Sequence, residues 1–132
     1  MQLLGKTPLE TIRVYEWLNW LSGTMHGTAF KLLFRPYFFS NDPATFDSIK
    51  AKGLERVKDS FNFIEERLDG IHAVGGAFTV VDLYFFVFYR WGNEVGLDMK
   101  EMYPRYTALI VNLVKRPAVK DTLEAEGIDS SL

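Results

Sequence analysis

Apolar residues recur at intervals of three and four along most of this chain, which is the spacing of a helix with one buried face. The first segment keeps this spacing at Val14, Leu18, Leu21 and Met25. Thr7 and Glu10 have the pattern of a capping box, and Pro8 stands at the first helical position, where its missing donor costs nothing. We therefore predict a first helix from Pro8 to about Leu33.

Four further helices are predicted from the same periodicity and from proline, glycine and capping signals. They run from a cap at Asn41 or Asp42 to Gly70, from Thr79 to Gly92 or Gly96, from Pro104 to about Lys115, and from Pro117 to Gly127. No alternating strand pattern bounded by hairpin turns occurs in the sequence. The chain is therefore predicted to be an all-α bundle of about five helices, in a single domain over residues 1–132.

The composition is that of a folded domain without a nucleic-acid surface. Of the 132 residues, 48% are hydrophobic and 15% aromatic, which is enough to build a packed core. The formal net charge is −2, acidic and basic residues are mixed, and no basic run is long enough to follow a phosphate backbone. We therefore expect no nucleic-acid partner.

Cysteine is absent from the sequence, which limits the chemistry that the chain can perform. There is no thiolate nucleophile, no disulfide and no cysteine-rich zinc site, and we expect no bound metal. The longest apolar run, residues 83–89, is far shorter than the ~20 residues of a membrane helix. The N-terminal residues lack a secretion signal. We expect a cytoplasmic protein that does not enter a membrane.

One acidic residue, Asp82, stands at the start of the most apolar segment, GGAFTVVDLYFFVFYRWG (residues 75–92). Thr79 and Asp82 have capping-box spacing, with a hydroxyl at the cap and a carboxylate three residues later. A helix that begins in the core cannot leave its first amides to water, so an acceptor there stabilises the fold. A general base would need a histidine or metal partner, and none is evident nearby in sequence. We interpret Thr79 and Asp82 as a structural cap.

Two stripes of side chains are candidates for a binding groove. On the first helix the small and polar residues share one face, at Asn19, Ser22, Gly23, His26 and Gly27. They form either a groove wall or a surface for close helix packing. On the third helix Tyr84, Phe88 and Trp91 share a face that either lines an aromatic pocket or belongs to the core. The aromatic loop FRPYFFSND (residues 34–42) either covers the mouth of such a pocket or closes the bundle.

Three segments together resemble the glutathione S-transferase family. FTVVDLYFFVFYRW is similar to the [Ser/Thr]-x-x-Asp start of the central helix in that family's all-α C-terminal domain. TPLETIRVYEWLNWLSGTMH resembles the first helix of the same domain, especially in bacterial beta-class members, and RPAVKDTLEAEG resembles its closing segment. The resemblance covers essentially the whole chain. It implies a C-terminal-like helical domain without the thioredoxin-like domain that comes first in the family.

The resemblance implies a role for two polar residues of the first helix. In beta-class enzymes an Asn and a His seven residues apart line the glutathione site, and Asn19 and His26 are their counterparts here. The family's usual Lys after this His is Gly27, and its Glu two residues before is Thr24. Two polar positions of the beta class are therefore lost in this chain.

The resemblance also implies a role for the third helix. In beta-class enzymes the matching Tyr and Trp, with the Arg before the Trp, lie at or near the hydrophobic-substrate pocket. Their counterparts here are Tyr84, Arg90 and Trp91, and Phe88 shares the face of Tyr84 and Trp91. These side chains are therefore candidates for the edge of a pocket that takes flat electrophiles.

The function implied is that of the C-terminal part of a glutathione transferase. Such a chain forms the wall that binds hydrophobic electrophiles and part of a homodimer interface, while the thioredoxin-like domain holds the co-substrate glutathione. No catalytic residue is implied in this chain, so the isolated chain is predicted to be inactive. The alternative is a non-catalytic glutathione-transferase-like module that mediates protein–protein interaction.

Overall fold

A long helical stretch opens the fold. The structure, a computed structural model, describes residues 2–129. Residues 8–34 are helical without a break, in the order α1 (Pro8–Trp20), a π-helix (Leu21–Phe30) and α2 (Lys31–Phe34). At the start the Thr7 hydroxyl accepts from the Glu10 amide at 3.2 Å, as the capping box predicts. The Glu10 carboxylate, however, accepts from the Lys6 amide at 2.6 Å instead of the Thr7 amide. The reciprocal bond is therefore made one residue further out than predicted.

The middle of this stretch is wound more widely than an α-helix. A π-helix is defined by hydrogen bonds that span five residues, and the Thr28 hydroxyl likewise donates to the Gly23 carbonyl five residues earlier, at 3.0 Å. Because each turn then holds more residues, positions seven apart no longer return to the same face. The single stripe predicted from Asn19 to His26 assumes an ideal α-helix, and the π-helix rotates His26 away from it.

The rest of the described chain is a series of helices. Two 3₁₀ turns, Pro36–Phe38 and Pro43–Thr45, lead into α3 (Phe46–Arg67), α4 (Val80–Glu94), α5 (Met99–Met102), α6 (Pro104–Leu113) and α7 (Pro117–Ala125). Residues 2–129 contain no strand, so the all-α prediction is confirmed. The short α5 was not predicted, since four residues are too few to show a periodicity; Asp98 caps it by accepting from the Glu101 amide at 3.1 Å.

Helix α4 is the buried centre of the bundle. Val81, Phe85, Phe88 and Tyr89 on this helix are fully buried. The Tyr106 hydroxyl of α6 donates to the Phe85 carbonyl, and the Tyr89 hydroxyl is 2.9 Å from that of Thr107. Burial raises the pKa of Tyr106 well above its ordinary value. These bonds satisfy polar groups inside an aromatic core, which would otherwise be costly to bury.

Close contact between α2 and α3 depends on one glycine. A Cβ added at Gly53 of α3 would lie 2.6 Å from the backbone nitrogen of Leu33, at the end of the first helical stretch. Because backbone cannot move aside as a flexible side chain can, only glycine permits this approach. Gly53 therefore fixes the position of α2 against the bundle. No helix within residues 2–129 is long and apolar enough to cross a membrane.

Candidate binding site

The Asp82 carboxylate is buried at the N-terminus of α4 and is surrounded by protein donors. One oxygen accepts from the Thr79 amide at 2.7 Å and from the Thr79 hydroxyl at 3.2 Å. The other accepts from the Ala73 amide at 2.9 Å, and His72 Nδ1 lies 3.7 Å from it. The neighbouring space has no room for a water-sized molecule. The carboxylate thus ties the loop before α4 to its first turn, and no substrate could reach it.

His72 is a partner of Asp82 that the sequence did not reveal. It lies ten residues before the carboxylate, in a loop without regular structure, so no spacing rule connects the two. At 3.7 Å the pair is beyond ordinary hydrogen-bond distance. The distance is too long for a hydrogen bond and the space beside Asp82 is too small for a ligand. His72 and Asp82 therefore do not form an acid–base pair that could act on a ligand.

A groove of about 480 Å³ opens between the π-helix, α2 and the C-terminal half of α4. We call it the His26–Trp91 pocket. It is lined by His26, Gly27, Phe30, Lys31, Phe34, Arg35, Phe38 and Trp91. Its volume falls within the range of known small-molecule sites, and aromatic walls with a few polar groups are typical of them. The groove is open to solvent, so a partner domain or a ligand can reach it.

Trp91 is the centre of the aromatic wall. Its ring centroid lies 5.7 Å from that of His26, 5.2 Å from Phe30 and 5.7 Å from Phe34. Phe88 is fully buried behind the wall, 5.4 Å from Trp91 and 6.3 Å from His26. These contacts hold Trp91 from behind while one side of it stays accessible. The exposed imidazole of His26 lies at the edge of this surface.

Two cationic side chains belong to the same pocket. Lys31 Nζ lies 4.3 Å from the ring centroid of Phe38, a cation–π distance. Neither Lys31 nor Arg35 has an ion pair within residues 2–129. No Asp or Glu is among the lining residues. The pocket therefore carries positive charge without a compensating carboxylate.

Part of the predicted site on α4 reaches this pocket. Trp91 lines it, and Phe88 contacts Trp91 from the core. Tyr84 stacks on Phe88 with ring centroids 5.0 Å apart, but it does not line the pocket. The Arg90 guanidinium lies 3.5 Å from the Glu94 carboxylate on the same helix and is also outside the lining. Among the predicted positions of α4, only Trp91 faces the groove directly.

The two predicted residues of the first helical stretch are separated. Asn19 and His26 are both exposed, but only His26 lines the pocket. Asn19 lies in α1, before the π-helix changes the winding, and this accounts for the separation. Asn19 and His26 therefore share no pocket in this chain, and the glutathione-site role that the resemblance implies for them stays a prediction.

Five lining residues were not singled out individually from the sequence. These are Phe30, Lys31, Phe34, Arg35 and Phe38. Residues 34–42, which contain three of them, are predicted from the sequence as an aromatic loop that either covers the mouth of a pocket or closes the bundle. The basic residues Lys31 and Arg35 follow no pattern that marks them as part of a site.

A second groove, of about 520 Å³, lies between α1 and the C-terminal half of α3. It shares no lining residue with the His26–Trp91 pocket. Trp17 and Trp20 are perpendicular to each other, and Trp20 stacks on Phe63 with centroids 4.6 Å apart. The Arg67 guanidinium lies 3.4 Å from the Phe63 centroid. We call this surface the Trp17–Trp20 groove. Its half-buried aromatic rings form a flat, partly apolar surface.

Residues 2–129 contain no group of three or more His, Cys, Asp or Glu side chains that could hold a metal ion.

The profile of the glutathione S-transferase C-terminal domain family matches residues 25–117. The chain therefore belongs to the glutathione S-transferase family, in the part that forms its C-terminal domain. It is 31% identical over 131 residues to glutathione S-transferase GstA of Escherichia coli O157:H7, with 96% of this chain and 60% of that protein covered.

Solved structures agree with this assignment. The beta-class glutathione S-transferase of Sphingomonas chungbukensis is 32% identical, with a TM-score of 0.79 over 96% of this chain and 60% of that one. A sphingomonad glutathione S-transferase complexed with glutathione is 34% identical, with a TM-score of 0.77 over 95% and 58%. The chain thus spans about 60% of the length of these relatives.

Proposed function

We propose that this chain forms the electrophile-binding wall of a cytoplasmic glutathione transferase and works with a thioredoxin-like domain that holds glutathione. In that reaction the glutathione thiolate forms a bond to an electrophilic carbon, and the leaving group departs with the electron pair of the bond that breaks. The chain contributes the binding and orientation of the electrophile. Its similarity to a relative complexed with glutathione supports this assignment.

The observation that carries the proposal is the His26–Trp91 pocket. A flat electrophile fits against the Trp91, Phe34 and Phe38 rings, because offset and edge contacts between rings are favourable. The exposed imidazole of His26, 5.7 Å from Trp91, can donate a hydrogen bond to a thiolate or to a side chain of the thioredoxin-like domain. His26 is thus the polar group that links the electrophile to the reacting sulfur.

The chain alone is expected to lack conjugating activity. It has no cysteine, and its described part places no base beside a nucleophile at the pocket. The expected rate with glutathione and 1-chloro-2,4-dinitrobenzene is the uncatalysed rate. Conjugation by the purified 132-residue chain above that rate would contradict this division of labour.

We further propose that the chain contributes to a homodimer through the Trp17–Trp20 groove. The half-buried rings of Trp17, Trp20 and Phe63 offer apolar area on one face, and exposed apolar surfaces of this kind mark interaction sites. Sedimentation of the chain should show a concentration-dependent dimer, and Trp20→Glu should shift it to monomer. A strictly monomeric chain at high concentration would contradict this assignment.

Tryptophan fluorescence tests the pocket directly. The probe is 4-nitrobenzamide, a neutral nitroaromatic without a leaving group, which quenches a neighbouring indole. We expect saturable quenching in the parent chain, its loss in Trp91→Phe, and its retention in Trp17→Phe and Trp20→Phe. Quenching that stays linear with probe concentration, or that survives Trp91→Phe, would show that the pocket does not bind flat aromatics.

A further inference from the structure

The lining of the His26–Trp91 pocket contains the basic residues Lys31 and Arg35 and no acidic residue. In the Trp17–Trp20 groove, by contrast, Arg13 is paired with Glu16 at 2.7 Å. The whole chain is slightly acidic, with a formal net charge of −2. Two unpaired cations on one pocket wall are therefore not a consequence of an overall basic surface.

The position of Lys31 is fixed by an aromatic ring that itself belongs to the pocket. Its ammonium lies 4.3 Å from the Phe38 centroid and 5.9 Å from the Phe39 centroid. A cation–π contact of this kind limits the freedom of the long side chain. A ligand that binds the ammonium therefore loses less side-chain entropy than with a freely rotating lysine.

Arg35 adds a second positive group at the end of α2. It comes directly before Pro36, which begins a 3₁₀ turn, so its backbone is held between two structured elements. Its guanidinium makes no hydrogen bond or ion pair within residues 2–129. Guanidinium presents a planar set of donors that matches a carboxylate or sulfonate.

We propose that the His26–Trp91 pocket selects aromatic electrophiles that carry a negatively charged group, and that Lys31 and Arg35 bind this charge. The inference rests on the proposed function, because it assumes that the pocket holds the electrophile. The aromatic wall binds the ring, while the cations distinguish an anionic substrate from a neutral one of the same shape. Lys31 and Arg35 are specificity-determining residues in this account, and neither takes part in bond formation.

The test compares two probes that differ in charge and share the same ring. These are 4-nitrobenzoate, which is anionic at neutral pH, and 4-nitrobenzamide, which is neutral. An exposed ion pair changes a binding constant by roughly two- to fivefold. With two cations, we expect the benzoate to bind about tenfold more tightly than the benzamide at low salt. Because the groove is open to solvent and Arg35 is exposed, the difference should shrink as salt approaches ~0.5 M.

Four variants assign the effect to the two side chains. Lys31→Gln and Arg35→Gln should each lower the ratio of benzoate to benzamide affinity several-fold, while Lys31→Arg should retain the preference. Lys120→Gln removes an exposed lysine of α7 that does not line the pocket, and it serves as the matched control. Saturable benzamide binding also shows that each variant is folded.

The outcomes separate this inference from the proposed function. Saturable binding of both probes with equal affinity would overturn the anion selectivity. A benzoate preference that persists in the Lys31→Gln/Arg35→Gln double variant would overturn its assignment to these two side chains. Both outcomes leave the pocket assignment intact. Failure of both probes to bind would overturn both the anion selectivity and the proposed function of the pocket. The inference is supported if the preference falls in each single variant and is lost in the double variant, while the Lys120→Gln control keeps it.

Discussion

The two ends of α4 differ in what surrounds their polar and aromatic groups. At the N-terminus the Asp82 carboxylate is 1% exposed and accepts from the Thr79 amide, the Thr79 hydroxyl and the Ala73 amide. Toward the C-terminus Trp91 is half-buried and borders an open groove of about 480 Å³. One end is closed by hydrogen bonds, and the other is accessible.

The difference shows how to separate a structural from a functional polar group in this fold. The Asp82 carboxylate stands at the start of an apolar helix, but three protein donors satisfy it and the space beside it has no room for a ligand. Lys31 and Arg35 look like ordinary surface residues, yet they line a pocket and lack carboxylate partners. Charged side chains that line a cavity and have no protein partner therefore indicate a binding site better than an unusual residue type does.

The largest effect is expected at the closed end of α4. Asp82→Ala removes the acceptor of three donors and leaves the buried Thr79 amide and hydroxyl and the half-buried Ala73 amide unsatisfied, at a cost of about 1–3 kcal/mol for each buried group. We expect the free energy of unfolding to fall by about 3 kcal/mol or more in urea titrations followed by circular dichroism. Asp82→Asn keeps one acceptor oxygen and should lose less.

Asp121→Ala is the matched control for this change. Asp121 is an exposed acid of α7, so its removal should alter the free energy of unfolding by less than about 0.5 kcal/mol. If Asp82→Ala unfolds at the same urea concentration as the parent, the carboxylate does not hold this end of the helix.

Gly53→Ala should have the next largest effect on stability, because it displaces α2, which forms one wall of the His26–Trp91 pocket. The added Cβ would lie 2.6 Å from the Leu33 nitrogen and push α2 away from α3. Overpacking of this kind costs about 1–3 kcal/mol, and 4-nitrobenzamide binding should weaken because α2 carries Phe34, which lines the pocket. Gly23→Ala is the matched control, since nothing lies within 4 Å of its added Cβ. Equal stability of the two variants would show that α2 does not depend on this close contact.

The Tyr106 hydroxyl donates to the Phe85 carbonyl of α4, and its burial leads us to expect a loss of stability at alkaline pH. Burial raises the pKa of Tyr106 in the folded chain above the ordinary value of about 10. The unfolded chain then binds fewer protons than the folded one above about pH 10, so the free energy of unfolding falls as pH rises there and is unaffected below. Tyr106→Phe should make this fall shallower, whereas Tyr15→Phe, an exposed control, should not. An identical slope in Tyr106→Phe and the parent would contradict this cause.

His26→Ala should have the smallest effect on folding and a clear effect on binding. The side chain is exposed, so the free energy of unfolding should change by less than about 0.5 kcal/mol. Its ring lies 5.7 Å from Trp91, and its removal should weaken 4-nitrobenzamide binding a few-fold in fluorescence titrations. Asn19→Ala, outside the pocket, is the control. Equal binding by both variants would remove His26 from the site.

Helix limits could be predicted because they depend on local chemistry. Pro8, Pro104 and Pro117 each stand at the first position of a helix, as their fixed backbone angle favours. The capping pair Thr79 and Asp82 likewise has a spacing that any sequence shows directly. These features do not require knowledge of the packing.

The pocket was only partly predictable, because it depends on winding and on contacts between distant elements. The π-helix separates Asn19 from His26, and no periodicity of the sequence shows this change of winding. Lys31 and Phe38 meet across the turn between α2 and the next segment, a contact that spacing does not reveal. Trp91 was predictable from its face of α4, but its cationic neighbours were not.

The most direct test of the account is a two-dimensional NMR titration of the chain with 4-nitrobenzamide. The three tryptophan indole N–H signals and the backbone amides report both ends of α4 at once. We expect saturable shifts of the Trp91 indole and of the His26 and Gly27 amides, with the Ala73 and Thr79 amides at the Asp82 carboxylate unchanged. Shifts centred on Trp17 and Trp20, or equal shifts at both ends of α4, would contradict the assignment of the His26–Trp91 pocket as the binding site.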